Sequence, residues 1–254
     1  MPDPSERAAK VSQRDAGLAK RFYQQVTTDT GGGEGVALLL DGKPVRTPGK
    51  AALRLPTRAL AEAVAEEWRA QGERIDPLTM PLTRLANSAI DGVAGRERAV
   101  IDDIMAYAGN DLVCYRAGAP DGLVKAQQTY WDPVLAWART ALGAPLFLTE
   151  GVAHVAQPET SLARLRETFL GRDAVSLAAL HVMTGLTGSA LLALAVAQGR
   201  LTPEAAWDAA HVDEDWQIGK WAQDAEAAER RQNRWRDFAA AARALALTQG
   251  RPPE

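Results

Sequence analysis

Short apolar runs broken by turn residues occupy the first third of the chain, and apolar stripes at helical spacing occupy the rest. Phe22–Thr28 is extended and β-branched at its end, and Gly31-Gly32-Gly33-Glu34-Gly35 is a flexible turn before the apolar run Val36–Leu40. Asp41-Gly42 is a hairpin-turn signal, after which Val45–Thr47 and Ala52–Leu55 resume an extended pattern. Thr57 then stands as an N-cap, and Leu60, Val64 and Trp68 fall on one face of a helix that Gly72 ends. The pattern predicts a β-rich domain with a covering helix over residues 1–93.

From Thr83 onward the spacing is helical. Helices are expected over 96–108 and 123–142, the second with a stripe of Trp131, Leu135, Ala138 and Leu142. Residues 147–158 read as short extended or irregular pieces, followed by helices over 162–170, 175–183 and 189–198. Leu177–Val196 resembles a membrane span, but His181, Thr184, Gly185, Thr187, Gly188 and Ser189 interrupt it. Its clean run Ala190–Ala197 falls well short of the ~20 residues a span needs. Two buried helices joined at Gly185–Gly188 are expected instead. Thr202-Pro203-Glu204 opens the last helical region, with Thr as cap and Pro at the first helical position. That region runs to about Leu247 with a break near Val212, and Trp235, Phe238, Ala242 and Leu245 continue its apolar side. The fold class is α+β, a small β-rich N-terminal domain followed by a larger all-α domain over 94–254.

Composition removes several functions. A net charge of −3 argues against a general nucleic-acid binder, which needs a basic surface for phosphates. One cysteine, Cys114, excludes an internal disulfide and suits a small buried apolar role in a reducing compartment. Met1–Lys10 carries Asp3 and Glu6 and no apolar run, unlike a secretory signal or a transit peptide. The expectation is a cytoplasmic bacterial protein with no membrane insertion.

The strongest local signal lies near the C-terminus. Between Asp213 and Glu229 six carboxylates face one base, Lys220, giving a local charge of −5. Asp213, Glu214 and Asp215 have no Lys or Arg three or four residues away, as a solvated helix normally would. Trp207, Ile218 and Trp221 supply an apolar seam along the same run. An apolar side beside an unneutralised acidic face suits docking on a basic or polar partner. Past Glu229 the chain turns basic, and Glu226 and Arg230 stand in the favourable i, i+4 order of a self-neutralised face.

This acidic-tryptophan stretch resembles the C-terminal signature of the assembly chaperones for the alpha subunit of F-type ATP synthase. Lys20-Arg21-Phe22-Tyr23, Leu40–Pro48 and Ala63–Trp68 are similar to the family's earlier motifs, as are Thr79–Thr83, Asp111–Arg116 and Trp131-Asp132-Pro133. Their joint presence in the family's order is specific. The family often has Gly after the tryptophan matching Trp221, whereas Ala222 follows here, which bears on how closely a partner backbone can approach. The resemblance implies a chaperone that binds free alpha subunit transiently and without a cofactor. It would prevent aggregation until the beta subunits bind, in the mitochondrial matrix for a eukaryotic relative. It also implies a functionally important carboxylate, which alignment on Trp221 places at Asp213 or Glu214. The partner-binding set is Asp213, Glu214, Asp215, Trp216, Trp221 and Glu226.

Other readings compete. His211, Glu214 and Asp215 fall on one helical face and invite a metal-dependent or acid/base enzyme, although no second helix offers clustered ligands. If a helix restarts near Val212, the three acids complement its dipole without any partner. A structural adaptor that stays in a finished complex is the third rival. The Gly31–Gly35 turn lacks the Gly-Lys-Ser/Thr tail of a phosphate loop, so no nucleotide site is expected. Trp68, Trp131 and Trp137 are expected in the cores, whereas Trp216 abuts the acids, either as an interface anchor or against a neighbouring helix.

Overall fold

The computed structural model describes residues 17–218 and 225–250. It divides the chain between Asp91 and Gly92 into two units. In the first, β1 (Val26–Asp29), β2 (Val36–Leu40), β3 (Lys43–Pro44) and β4 (Arg54–Leu55) form an antiparallel sheet. The register sets Val26 against Leu40, Leu40 against Lys43, and Val36 against Leu55. Asp41 (φ 47°) and Gly42 (φ 76°) both adopt the left-handed region, as the tight turn between β2 and β3 demands. Asp41 also accepts backbone hydrogen bonds from Gln24 and Gln25, which lower its carboxyl pKa and hold the chain entering β1. The regular strands are shorter than the expected extended stretches, and Val45–Thr47 is joined to the chain before β4 by the isolated Arg46–Ala52 bridge and by the Leu53 amide donating to the Val45 carbonyl at 2.9 Å.

Helix α1 (Arg58–Arg69) begins where Thr57 accepts from the Leu60 amide at 3.2 Å. Leu60 and Val64 are buried on its sheet-facing side, but Trp68 is only half-buried, correcting the expectation of a core tryptophan. It sits in the last turn, where its ring lies 5.6 Å from Tyr23 and its carbonyl accepts from the Tyr23 hydroxyl. The helix ends at Ala70, before Gly72. Glu67 caps α2 (Pro81–Ser88) from a distance, accepting from the Leu82 and Thr83 amides at 2.7 and 2.8 Å.

The second unit contains α3 (Glu97–Ala108), β5 (Tyr115–Arg116), α4 (Asp121–Ala141), β6 (Thr149–Glu150) and α5 (Glu159–Glu167). Helices α6 (Ala174–Thr187), α7 (Ala190–Ala197), α8 (Pro203–Ala210), α9 (Val212–Ile218) and α10 (Ala225–Thr248) follow. Among its described residues the regular structure is helical apart from the two-residue parallel pair of β5 and β6. The buried stripe of α4 is Gln127, Trp131, Val134 and Ala138, so Trp131 and Ala138 face inward as expected, Val134 takes the inner place of Leu135, and Leu142 is a half-buried C-cap. Trp131 is fully buried, and its indole N–H donates to the Ala209 carbonyl at 2.7 Å, fixing α4 against α8.

Helix α6 runs past Gly185 to Thr187, and Gly188 (φ 69°) ends it in the left-handed conformation. Ser189 then caps α7, every residue of which except Val196 is buried. Asp111 is buried beside this junction and accepts from the Leu191 amide at 3.0 Å and the Val113 amide at 3.3 Å. Among the described residues no helix is long and apolar enough to cross a membrane.

Candidate functional site

Thr202 accepts from the Ala205 amide to start α8, and the helical region breaks at His211, one residue from the expected point. Helix α9 restarts at Val212 with Asp213, Glu214 and Asp215 in its first turn, where their charge complements the helix dipole. The acids do not form one free acidic face. Each meets a different environment.

Asp213 is half-buried, and its Oδ1 accepts from Gln127 Nε2 at 2.7 Å. Gln127 lies on the inner stripe of α4, only 2% exposed, and its Oε1 accepts from the Ala117 amide at 2.8 Å. Asp215 receives a two-pronged ion pair from Arg231 of α10, with Nη2 at 2.9 Å from Oδ2 and Nη1 on Oδ1. These two acids therefore tie α9 to the helices on either side of it. The expected absence of basic partners holds only along the local sequence.

Glu214 differs. Its side chain is about half exposed, and among the described residues the cationic candidate within ion-pair reach is His211 Nε2 at 3.9 Å. His211 is buried, and its Nδ1 donates to the Trp207 carbonyl at 2.7 Å, since a carbonyl can only accept. Burial is the main cause of a lowered imidazole pKa, so the ring is neutral with Nε2 as its acceptor nitrogen. The expected grouping of His211, Glu214 and Asp215 as a metal or acid/base centre is not assembled, because Asp215 is committed to Arg231. Among the described residues no group of three His, Cys, Asp or Glu side chains is placed to hold a metal ion.

Trp216 is half-buried, with its six-membered ring over Gly122 in the first turn of α4. A Cβ at Gly122 would stand 2.2 Å from Trp216 Cη2, so this approach requires glycine. The tryptophan is thus a packing element between α9 and α4 that keeps part of its surface open. Glu226 pairs with Arg230 at 2.6 Å in the expected i, i+4 arrangement, with both side chains well exposed. Trp221 lies outside the described residues.

The local sequence reading missed Gln127, Arg231 and Gly122. Gln127 left a signal, being a polar residue one turn before Trp131 on the buried stripe. Arg231 and Gly122 left none, because their partners are distant along the chain.

A model of the ATP12 chaperone protein family matches residues 20–139. Among solved structures, Atu1473 of Agrobacterium tumefaciens is 49% identical and superposes with a TM-score of 0.87, over 96% of this chain and 91% of that one. Atp12 of Paracoccus denitrificans is 45% identical with a TM-score of 0.85, over 91% of this chain and 98% of that one. Identity at that level over nearly the whole length of both chains carries family along with fold, and this chain belongs to the ATP12 chaperone family.

Proposed function

We propose that this chaperone binds the free alpha subunit of F-type ATP synthase in the bacterial cytoplasm and keeps it from aggregating until beta subunits replace the chaperone. It acts by binding and not as an enzyme. An unassembled subunit of a ring exposes apolar interfaces that aggregate until covered. A beta subunit that binds the same surface more tightly displaces the chaperone by mass action.

The observation that carries the reading is the family relation, with 45% identity to Atp12 over 91% of this chain. The acidic helix supports a place for the contact. Of the expected set Asp213, Glu214, Asp215, Trp216, Trp221 and Glu226, we assign the direct charge contact to Glu214. Asp213 and Asp215 hold α9 in position through Gln127 and Arg231. A helix anchored on both sides presents Glu214 without the entropy cost of ordering it on binding.

The test is suppression of aggregation. Purified alpha subunit is diluted from denaturant with and without the chaperone, and light scattering is followed, then beta subunit is added. Suppression followed by release on addition of beta subunit supports the proposal. Unchanged scattering at stoichiometric chaperone removes it.

A further inference from the structure

Eight large apolar side chains are exposed among the described residues, and three of them, Phe147, Leu148 and Val152, fall within six positions. Exposed apolar residues scattered singly need no explanation, but a cluster does. This one lies on the segment connecting α4 to α5, and that segment is anchored by buried polar side chains. Gln157, 7% exposed, accepts from the Phe147 amide at 2.8 Å and donates to the Phe147 carbonyl at 3.0 Å. Ser161, 1% exposed, donates to the Pro145 carbonyl at 2.6 Å. Both backbone groups of Phe147 are satisfied from within, while the residue remains 56% exposed.

Beside this ridge runs a groove of about 400 Å³ walled by Leu135, Ala136, Pro145 and Leu148, with Asp132 and Arg139 also lining it. The two charges are not equivalent. Asp132 is neutralised by Arg116 at 2.7 Å. Arg139 has no ion-pair partner among the described residues, and it stands in the last turn of α4, where the dipole favours a cation. The groove is therefore apolar in its walls and cationic at one point.

We propose that the groove and the Phe147–Leu148 ridge dock one apolar segment of an unassembled client chain, with a client carboxylate on Arg139. The inference rests on the chaperone reading above and adds a second contact, separate in character from the acidic helix α9. The charge at Arg139 selects an acidic side chain within or beside the apolar segment. The anchored backbone means that docking orders little besides the client.

The test uses the full chain with Phe147→Ser and Leu148→Ser together, beside Arg139→Glu, in the alpha-subunit scattering assay. All three substitutions lie on exposed positions, so the melting temperature of both variants should remain near that of the parent. Loss of two apolar anchors should raise the chaperone concentration needed for half-suppression by about tenfold or more, and Arg139→Glu should raise it by a smaller factor. Native-like melting with unchanged suppression in both variants overturns the docking site and leaves the chaperone reading intact. If the double variant fails to fold, Arg139→Glu decides by the same criterion. Failure of the parent protein to suppress scattering overturns the chaperone reading and this inference together. Sedimentation of the parent as a dimer and of the double variant as a monomer would assign the face to a second copy of this chain, which also overturns it.

Discussion

Gln127 Nε2 donates to Asp213 Oδ1 at 2.7 Å across 86 residues of chain, while its other side-chain atom holds the Ala117 amide. One buried amide thus satisfies a carboxylate on α9 and a backbone group ahead of α4. Gln127→Ala leaves both without a partner, and an unsatisfied buried polar group costs about 1–3 kcal/mol. The expected result is a lower urea midpoint at unchanged m-value. An unchanged midpoint would show that water replaces the amide at no cost.

Gly122 and Trp216 form a second constraint between the same helices. Gly122→Ala puts a methyl where only 2.2 Å separates it from the indole, and overpacking of this kind costs about 1–3 kcal/mol. Trp216→Ala removes the obstacle, so the two substitutions should couple. A double-mutant cycle by thermal melts should give Gly122→Ala a smaller penalty in the Trp216→Ala background. Equal penalties in both backgrounds would place the clash elsewhere.

Local signals were legible and tertiary ones were not. Thr57, Thr202 and the Asp41-Gly42 turn act through residues two or three positions away, so their roles follow from the sequence pattern alone. Trp68 shares its helical face with Leu60 and Val64, but whether the sheet extends under the last turn is a property of the fold. The acidic stretch shows the same division. Its charge imbalance is visible in sequence, but Arg231 and Gln127 engage Asp215 and Asp213 from separations of 16 and 86 residues. Only Glu214 retains the open character that the local pattern ascribed to all three.

Cys114 is fully buried, and desolvation is the first cause that pushes its thiol pKa up to about 12, with the Asp111 charge adding to it. The thiolate is the reactive form. Native protein at pH 8 should therefore resist an aromatic disulfide reagent that labels the urea-unfolded chain completely. Rapid stoichiometric labelling of native protein would show that the core around Cys114 opens readily.

Asp111 should leave a signature in the pH dependence of stability. Burial, the largest cause, raises its pKa from 3.8 to about 6, against hydrogen bonds from Ser189, Leu191, Val113 and Ala190. Between those values the native chain keeps a proton that the unfolded chain has released. Stability from this group is thus full below pH ~4 and falls as pH rises to about 6, by about 3 kcal/mol in all. Asp111→Asn cannot titrate. The stability difference between parent and Asp111→Asn should shift against the parent between pH 4.5 and 6.5 in urea melts. A constant difference would show that the amides around Asp111 keep it ionised throughout.

Glu214 separates the partner role of α9 from its structural role. Reversal at Asp213 would break the bond to Gln127 and confuse loss of binding with loss of packing. Glu214→Lys leaves that bond and the Asp215–Arg231 pair in place, and its side chain is about half exposed. Substitutions of this kind shift stability by about 0.5 kcal/mol, or up to about 1 kcal/mol if the acid supports the helix dipole. Loss and reversal of an interfacial charge instead costs about 2–5 kcal/mol of binding. The expected outcome is a melting temperature near that of the parent and alpha-subunit protection weakened by more than tenfold. If the acids serve the dipole alone, the pattern inverts to a lowered melting temperature with full protection. That inverted pattern would remove Glu214 from the binding surface and leave α9 as scaffold.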